Sequence, residues 1–144
     1  MKNLLLLVIL GFSLFRCSTN ETPKPNKIMG TWKMVYAEIM ENDSLKIKDL
    51  THTHFIKIIN NSHFSFFNQE KNSAENFYGG GGTYTLHGND YVETLSFTSV
   101  EALKNHQFPF IVEFKGDTLV QSGVEEIEAA GIKQNIIEKY IKIH

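Results

Sequence analysis

Gly82-Thr83-Tyr84-Thr85-Leu86-His87-Gly88-Asn89-Asp90-Tyr91-Val92-Glu93-Thr94-Leu95-Ser96-Phe97 consists of two alternating runs around a turn. Tyr84 and Leu86 share one face of the first run, and Tyr91, Glu93, Leu95 and Phe97 share one face of the second. Gly88 and Asn89 tolerate the positive φ that a tight hairpin demands. The stretch therefore predicts an antiparallel β-hairpin. Outward from it the same rhythm recurs. Short β-branched and aromatic runs, Gly30–Met40, Leu45–Lys48, His54–Ile59, His63–Asn68, Phe110–Lys115, Thr118–Ser122 and Asn135–Ile143, are punctuated by turn residues such as Asn60-Asn61-Ser62 and Gly116-Asp117. The last run also places Ile136, Ile137, Tyr140 and Ile141 at helical spacing, but Ile141-Lys142-Ile143 alternates and predicts a strand. Thr98–Asn105 and Glu125–Ala130 carry helix-favouring Ala, Leu, Glu and Lys and are expected as short helices or loops.

Period-two alternation gives every strand one bulky face. Trp32, Met34 and Tyr36 fall together on the first strand, Phe64 and Phe66 on the fourth, and Phe110, Val112 and Phe114 on the seventh. Eight or so short strands, joined in sequence order, predict an all-β fold: a small antiparallel up-and-down β-barrel over residues 28–144. Closure removes exposed sheet edges and leaves an interior for packed side chains or one small ligand. A two-sheet sandwich is the alternative architecture.

The N-terminus has a different composition. Met1-Lys2-Asn3 precedes the apolar run Leu4–Phe15. That run is shorter than the ~20 residues needed to span a bilayer and fits the hydrophobic core of an export signal. Residues 1–16 then read as a signal segment and residues 17–27, polar and containing Pro23 and Pro25, as an extended tether. Leu14-Phe15-Arg16-Cys17 is similar to a bacterial lipoprotein signal, in which the cysteine becomes the lipidated first residue; Arg16 departs from the small residue usual there. The resemblance implies lipidation at Cys17, membrane attachment through it, and a cell-envelope or outer-membrane location, with a periplasmic or secreted protein if Cys17 stays free. The chain has 14 Lys+Arg against 16 Asp+Glu. Removing residues 1–16 takes away Lys2 and Arg16 and no acid, so every remaining base is a lysine. An acidic, Arg-free domain is a poor binder of nucleic acid or phosphate.

Gly30-Thr31-Trp32 at the start of the first strand resembles the Gly-x-Trp signature of lipocalin-like proteins. The ordered series Gly80–Glu93, Phe108-Pro109-Phe110, Gly116-Asp117 and Ser122-Gly123 is similar to a lipocalin-like domain found in secreted and lipid-anchored proteins of Bacteroidetes-type bacteria. The resemblance implies a calycin-type barrel closed at one end by Trp32, and a binding role rather than a reaction. Where that family ends in a Trp-x-Arg strand this chain has Tyr140-Ile141-Lys142, so Lys142 replaces the arginine as a cation for the Trp32 ring.

The candidate ligand-binding set is Trp32, Met34, Tyr36, Phe64, Phe66, Tyr84, Glu93, Phe110 and Val112. Glu93, in an otherwise apolar row, needs a partner such as Lys57, Lys142 or a tyrosine hydroxyl, or else serves a ligand. His52, His54 and His63 could supply three nitrogen ligands to zinc, but exposed polar positions are the preferred reading, so no metal and no other cofactor is expected. Gly79–Gly82 lacks the Lys-Ser/Thr of a phosphate-binding loop and is expected as a bend, bulge or mouth loop. No catalytic order of nucleophile and base appears, and no catalysis is expected. The expected function is uptake of a small apolar or amphipathic molecule. The alternative is a filled barrel whose loops Gln69–Gly82 or Thr98–Gln107 bind a protein or glycan.

Overall fold

The computed structural model describes residues 26–144. The predicted signal segment, most of the tether, and Cys17 lie outside the described residues. Nine strands follow in chain order: β1 (Gly30–Glu41), β2 (Ser44–Ile47), β3 (Thr53–Ile59), β4 (His63–Glu70), β5 (Tyr78–His87), β6 (Asp90–Phe97), β7 (His106–Lys115), β8 (Thr118–Ile127) and β9 (Ile132–Ile143). All neighbours are antiparallel. The order is β2-β1-β3-β4-β5-β6-β7-β8-β9, and β1 also pairs with β9. That last pairing closes an eight-stranded barrel and excludes the open sandwich. β2 stands outside the ring as a short exposed extension paired with the C-terminal end of β1. The turns follow the residues that permit them: Gly88 and Gly116 take φ of 63° and 62°, and Asn60 Oδ1 accepts from the backbone N–H groups of Ser62 and His63.

Inward positions carry the core, which includes Trp32, Met34, Phe55, Ile59, Phe64, Tyr91, Leu95, Phe110, Val112, Leu119, Ile136 and Tyr140. Two bulges overturn part of the alternation read from the sequence. Met34 pairs with Tyr140, but Tyr36 pairs with Lys139, so one extra residue, Val35, reverses the parity of β1. Ala37 therefore turns inward in place of Tyr36. Tyr36 lies on the outer wall, bonded to the Glu38 carboxylate, with Lys139 Nζ 4.4 Å over its ring. In the same way Gly82 pairs with Leu95 and Gly81 with Phe97, so Ser96 is the extra residue and Phe97 swings out to 70 % exposure.

Other boundaries also move. Gly79–Gly82 is not a mouth loop but the N-terminal half of β5, paired with Phe64–Phe67 of β4, and the bulge expected of it falls between Gly81 and Gly82. A Cβ on Gly82 would collide with the Thr94 carbonyl, so the second bulge requires glycine there. β8 continues to Ile127, and only Glu128–Ala130 forms a 3₁₀ turn. Thr98–Asn105 does contain a short 3₁₀ turn, Glu101–Leu103, and the final run is the strand β9.

Candidate functional site

The barrel is filled at one end and hollow at the other. At the filled end, beside the chain's entry into β1, the Trp32 indole donates to the Ile28 carbonyl at 2.7 Å and packs on Phe114 at 6.0 Å between ring centroids. Lys142 Nζ sits 5.2 Å over Trp32, and Lys27 Nζ sits 4.1 Å over Phe114. Tyr84 and Tyr91 pack 5.2 Å apart below them, and the Tyr84 hydroxyl donates to the Asn60 carbonyl. Ile28, Leu119 and Val112 complete a plug that is almost wholly buried. Trp32, Tyr84 and Val112 of the expected ligand set belong to this plug. Met34 is buried opposite Tyr140, and none of these four lines the cavity of the other half; Trp32 borders instead an outer concavity with Lys27, Phe114 and Lys142.

Past mid-barrel a cavity of about 340 Å³ opens. That is near the lower end of the ~300–1,000 Å³ common for small-molecule sites. Its walls include Phe55, Phe66, Leu95, Phe108, Phe110 and Ile127. Two pairs of rings stack nearly parallel, Phe55 on Phe66 with centroids 5.7 Å apart and Phe108 on Phe110 with centroids 6.3 Å apart. The wall residues leave room because two inward positions beside them carry no side chain. The Phe66 ring lies 2.9 Å from where a Cβ on Gly80 would sit, and the Phe110 ring is equally close to that of Gly123. Each ring rests against bare backbone. Of the expected ligand set, the structure brings Phe64, Phe66, Glu93 and Phe110 to this cavity.

The floor is polar. Lys57 Nζ lies 2.5 Å from Glu93 Oε1 and donates to Gln121 Oε1 at 2.8 Å. The ion pair falls outside hydrogen-bond angles, so Glu93 Oε1 is buried without a hydrogen bond. The faces of Phe64, Tyr91 and Tyr140 surround the same ammonium at 5.6–5.8 Å. Beside it Glu138 Oε2 accepts from the Tyr140 hydroxyl at 2.6 Å. Burial raises the Glu138 carboxyl above its ordinary range, opposed by the charge of Lys57. Burial, with Glu93 adding to it, likewise pushes the Tyr91 phenol up. A buried pair of this kind is costly to desolvate and depends on its mutual partners, so the floor is a polar surface fixed at a set height inside an apolar tube. Toward the mouth, Gln134 Nε2 donates to Glu125 Oε2 at 2.6 Å, and Lys48 Nζ donates to the Tyr78 hydroxyl at 2.6 Å.

Alternation on β3 and β6 anticipated the Lys57–Glu93 pair. Gln121 and Glu138 were missed, although each alternates with buried apolar neighbours, Leu119 before Gln121 and Ile136 and Tyr140 around Glu138. The histidines do not assemble: His54 pairs with Gln69 at one end of the β3–β4 hairpin and His63 with Thr83 near the other, both exposed. Among the described residues no group of three His, Cys, Asp or Glu side chains is placed to hold a metal ion. A second concavity, about 530 Å³ but more open to solvent, lies on the outer wall over the glycine run between Ile58, Phe67, Phe77 and Phe97. No protein-family model matches the chain, and no curated protein matches it.

Proposed function

We propose that this protein is a non-catalytic carrier or sensor that takes a small amphipathic molecule into the open half of its barrel, and that it does so at the cell envelope, held there through Cys17. The cavity is the observation that supports it most: a lumen with aromatic walls and a polar floor offers an apolar body a surface to cover and a polar end a place to bind. The lipocalin-like resemblance of Gly30-Thr31-Trp32 and the later turn series agrees with such a role. The apolar run before Cys17 supports export. Every strand pairing that closes the barrel, and the core inside it, lies within residues 28–143, so a chain beginning at residue 26 carries the whole fold.

Native mass spectrometry of residues 26–144, mixed with extracts of bacterial envelope lipid and compared with the denatured sample, tests this reading. A noncovalent adduct of one ligand per chain is expected, and it should be lost in Phe66→Lys, which places a charge in the cavity wall. No adduct, or an adduct unaffected by Phe66→Lys, would contradict it. The outer groove favours a second reading, in which Phe67, Phe77 and the 70 %-exposed Phe97 receive a protein or glycan partner. In that case Phe97→Ser, and not Phe66→Lys, removes binding.

A further inference from the structure

We infer that the buried end of the ligand is a cation bearing N–H donors, an amine rather than a carboxylate, received at the cavity floor by Glu138 and Glu93; this rests on the cavity being the ligand site. The floor's free valences decide the class. Lys57 is the cation there, and its ammonium already meets Glu93 and Gln121, with three aromatic faces closed around it. An incoming carboxylate would have to take Lys57 from those partners and would lie beside two acids. The acids, by contrast, are under-used. Glu93, 5 % exposed, borders the cavity with Oε1 against the Lys57 ammonium but outside hydrogen-bond angles, and among the described residues Glu138 has no ion-pair partner, only the Tyr140 hydroxyl. A carboxylate offers about four lone-pair sites and an ammonium three donors and no acceptor, so the two inventories complement each other. The faces of Phe55, Phe66 and Tyr140 add the attraction of aromatic rings for a desolvated cation.

The charged and titratable groups around Glu138 are Lys57 from β3, Glu93 from β6, Glu125 from its neighbour β8 and Tyr140 on its own strand, with Lys48 and Tyr78 also lining the cavity. Among them the three carboxylates, Glu93, Glu125 and Glu138, outnumber the two lysines. Burial favours the neutral form of Glu138 in the empty site, so an amine that needs the ionised form must bind more tightly as pH rises out of the carboxylate range.

Calorimetric titration of residues 26–144 with octylamine, octanol and octanoate at pH 8 tests the inference. These probes share one chain and differ in head group. Octylamine is expected to bind roughly tenfold or more tightly than octanol, the usual scale for a hydrogen bond to a charged group, and octanoate more weakly than either. In Glu138→Gln the preference for the amine over octanol should disappear, and a cooperative urea transition shows that the variant is folded. Lowering the pH to 5 should weaken octylamine and leave octanol alone. Octanoate binding as tightly as octylamine, with octanol bound, would overturn the cationic head and leave the cavity reading standing. An undiminished amine preference in Glu138→Gln would overturn the role of Glu138. Binding of none of the three would remove both the inference and the reading beneath it.

Discussion

The two ends of this barrel use the same strands and the same alternation, yet one is solid and the other hollow. At the solid end the inward positions hold Trp32, Phe114, Tyr84, Tyr91 and Leu119, and Ile28 folds back beneath the indole as a plug. At the hollow end the inward positions hold as many aromatic rings, but Gly80 and Gly123 let Phe66 and Phe110 lie against the wall instead of across the lumen. Hollowness here comes from where the rings can lie, not from a shortage of apolar side chains. Between the halves sits the Lys57–Glu93–Gln121 layer, which would be a liability inside a filled core and is a floor beneath a cavity.

The layer should be the most sensitive part of that contrast. Lys57→Met leaves Glu93 buried without its cation and is expected to cost about 3–5 kcal/mol, read from urea denaturation, with most of the loss recovered in the double variant Lys57→Met/Glu93→Leu. An additive double variant would mean the two groups do not depend on each other. In the first strand, Met34→Ala is expected to cost about 2–5 kcal/mol, whereas Tyr36→Ala should leave the denaturation midpoint where it is. A large loss at Tyr36 would place that side chain in the core and erase the bulge at Val35. The ring-against-backbone account is sharpened by Gly80→Ala. The new Cβ meets the Phe66 ring and must push it toward the lumen, an overpacking cost of about 1–3 kcal/mol together with loss of octanol binding. A variant that keeps its affinity would locate the ligand elsewhere.

The smallest effect concerns pH. The Glu138 carboxyl is raised in the folded chain by burial, so its neutral form stabilises the fold. That contribution is complete below the ordinary carboxylate range and is lost as pH rises through the raised folded value. Denaturation midpoints measured against pH should therefore fall for the parent, relative to Glu138→Gln, over that interval. Parallel curves would show that Glu138 is not desolvated.

Much of this was legible in the sequence because alternation is a local property. The hairpin around Gly88-Asn89, the strand Ile141-Lys142-Ile143, the closed barrel and the inward placement of Trp32, Phe64, Phe66 and Phe110 follow from period two and turn chemistry. Tyr36 and Phe97 were misplaced because a single extra residue in a strand, Val35 or Ser96, reverses every side chain beyond it and leaves no mark in composition. The glycine run holds the bulge its composition suggests, but its role as pairing surface was not legible: what Gly80 and Gly82 accommodate, the Phe66 ring and the Thr94 carbonyl, lies on neighbouring strands. Gln121 and Glu138 look like ordinary polar strand residues despite their buried alternating neighbours, and their register against Val112, Ala37 and each other sets them in the interior. The division into a solid and a hollow half was likewise invisible, since it depends on which inward positions lie at the same height.

Backbone amide shift mapping with octanol tests the hollow-half site most directly. The site described here predicts perturbation of Phe66, Leu95, Phe108, Ile127 and Ile132, with Ile28, Val112 and Leu119 of the solid half unmoved. Perturbation confined to Ile58, Phe67 and Phe97 on the outer wall, or none at all, would contradict it.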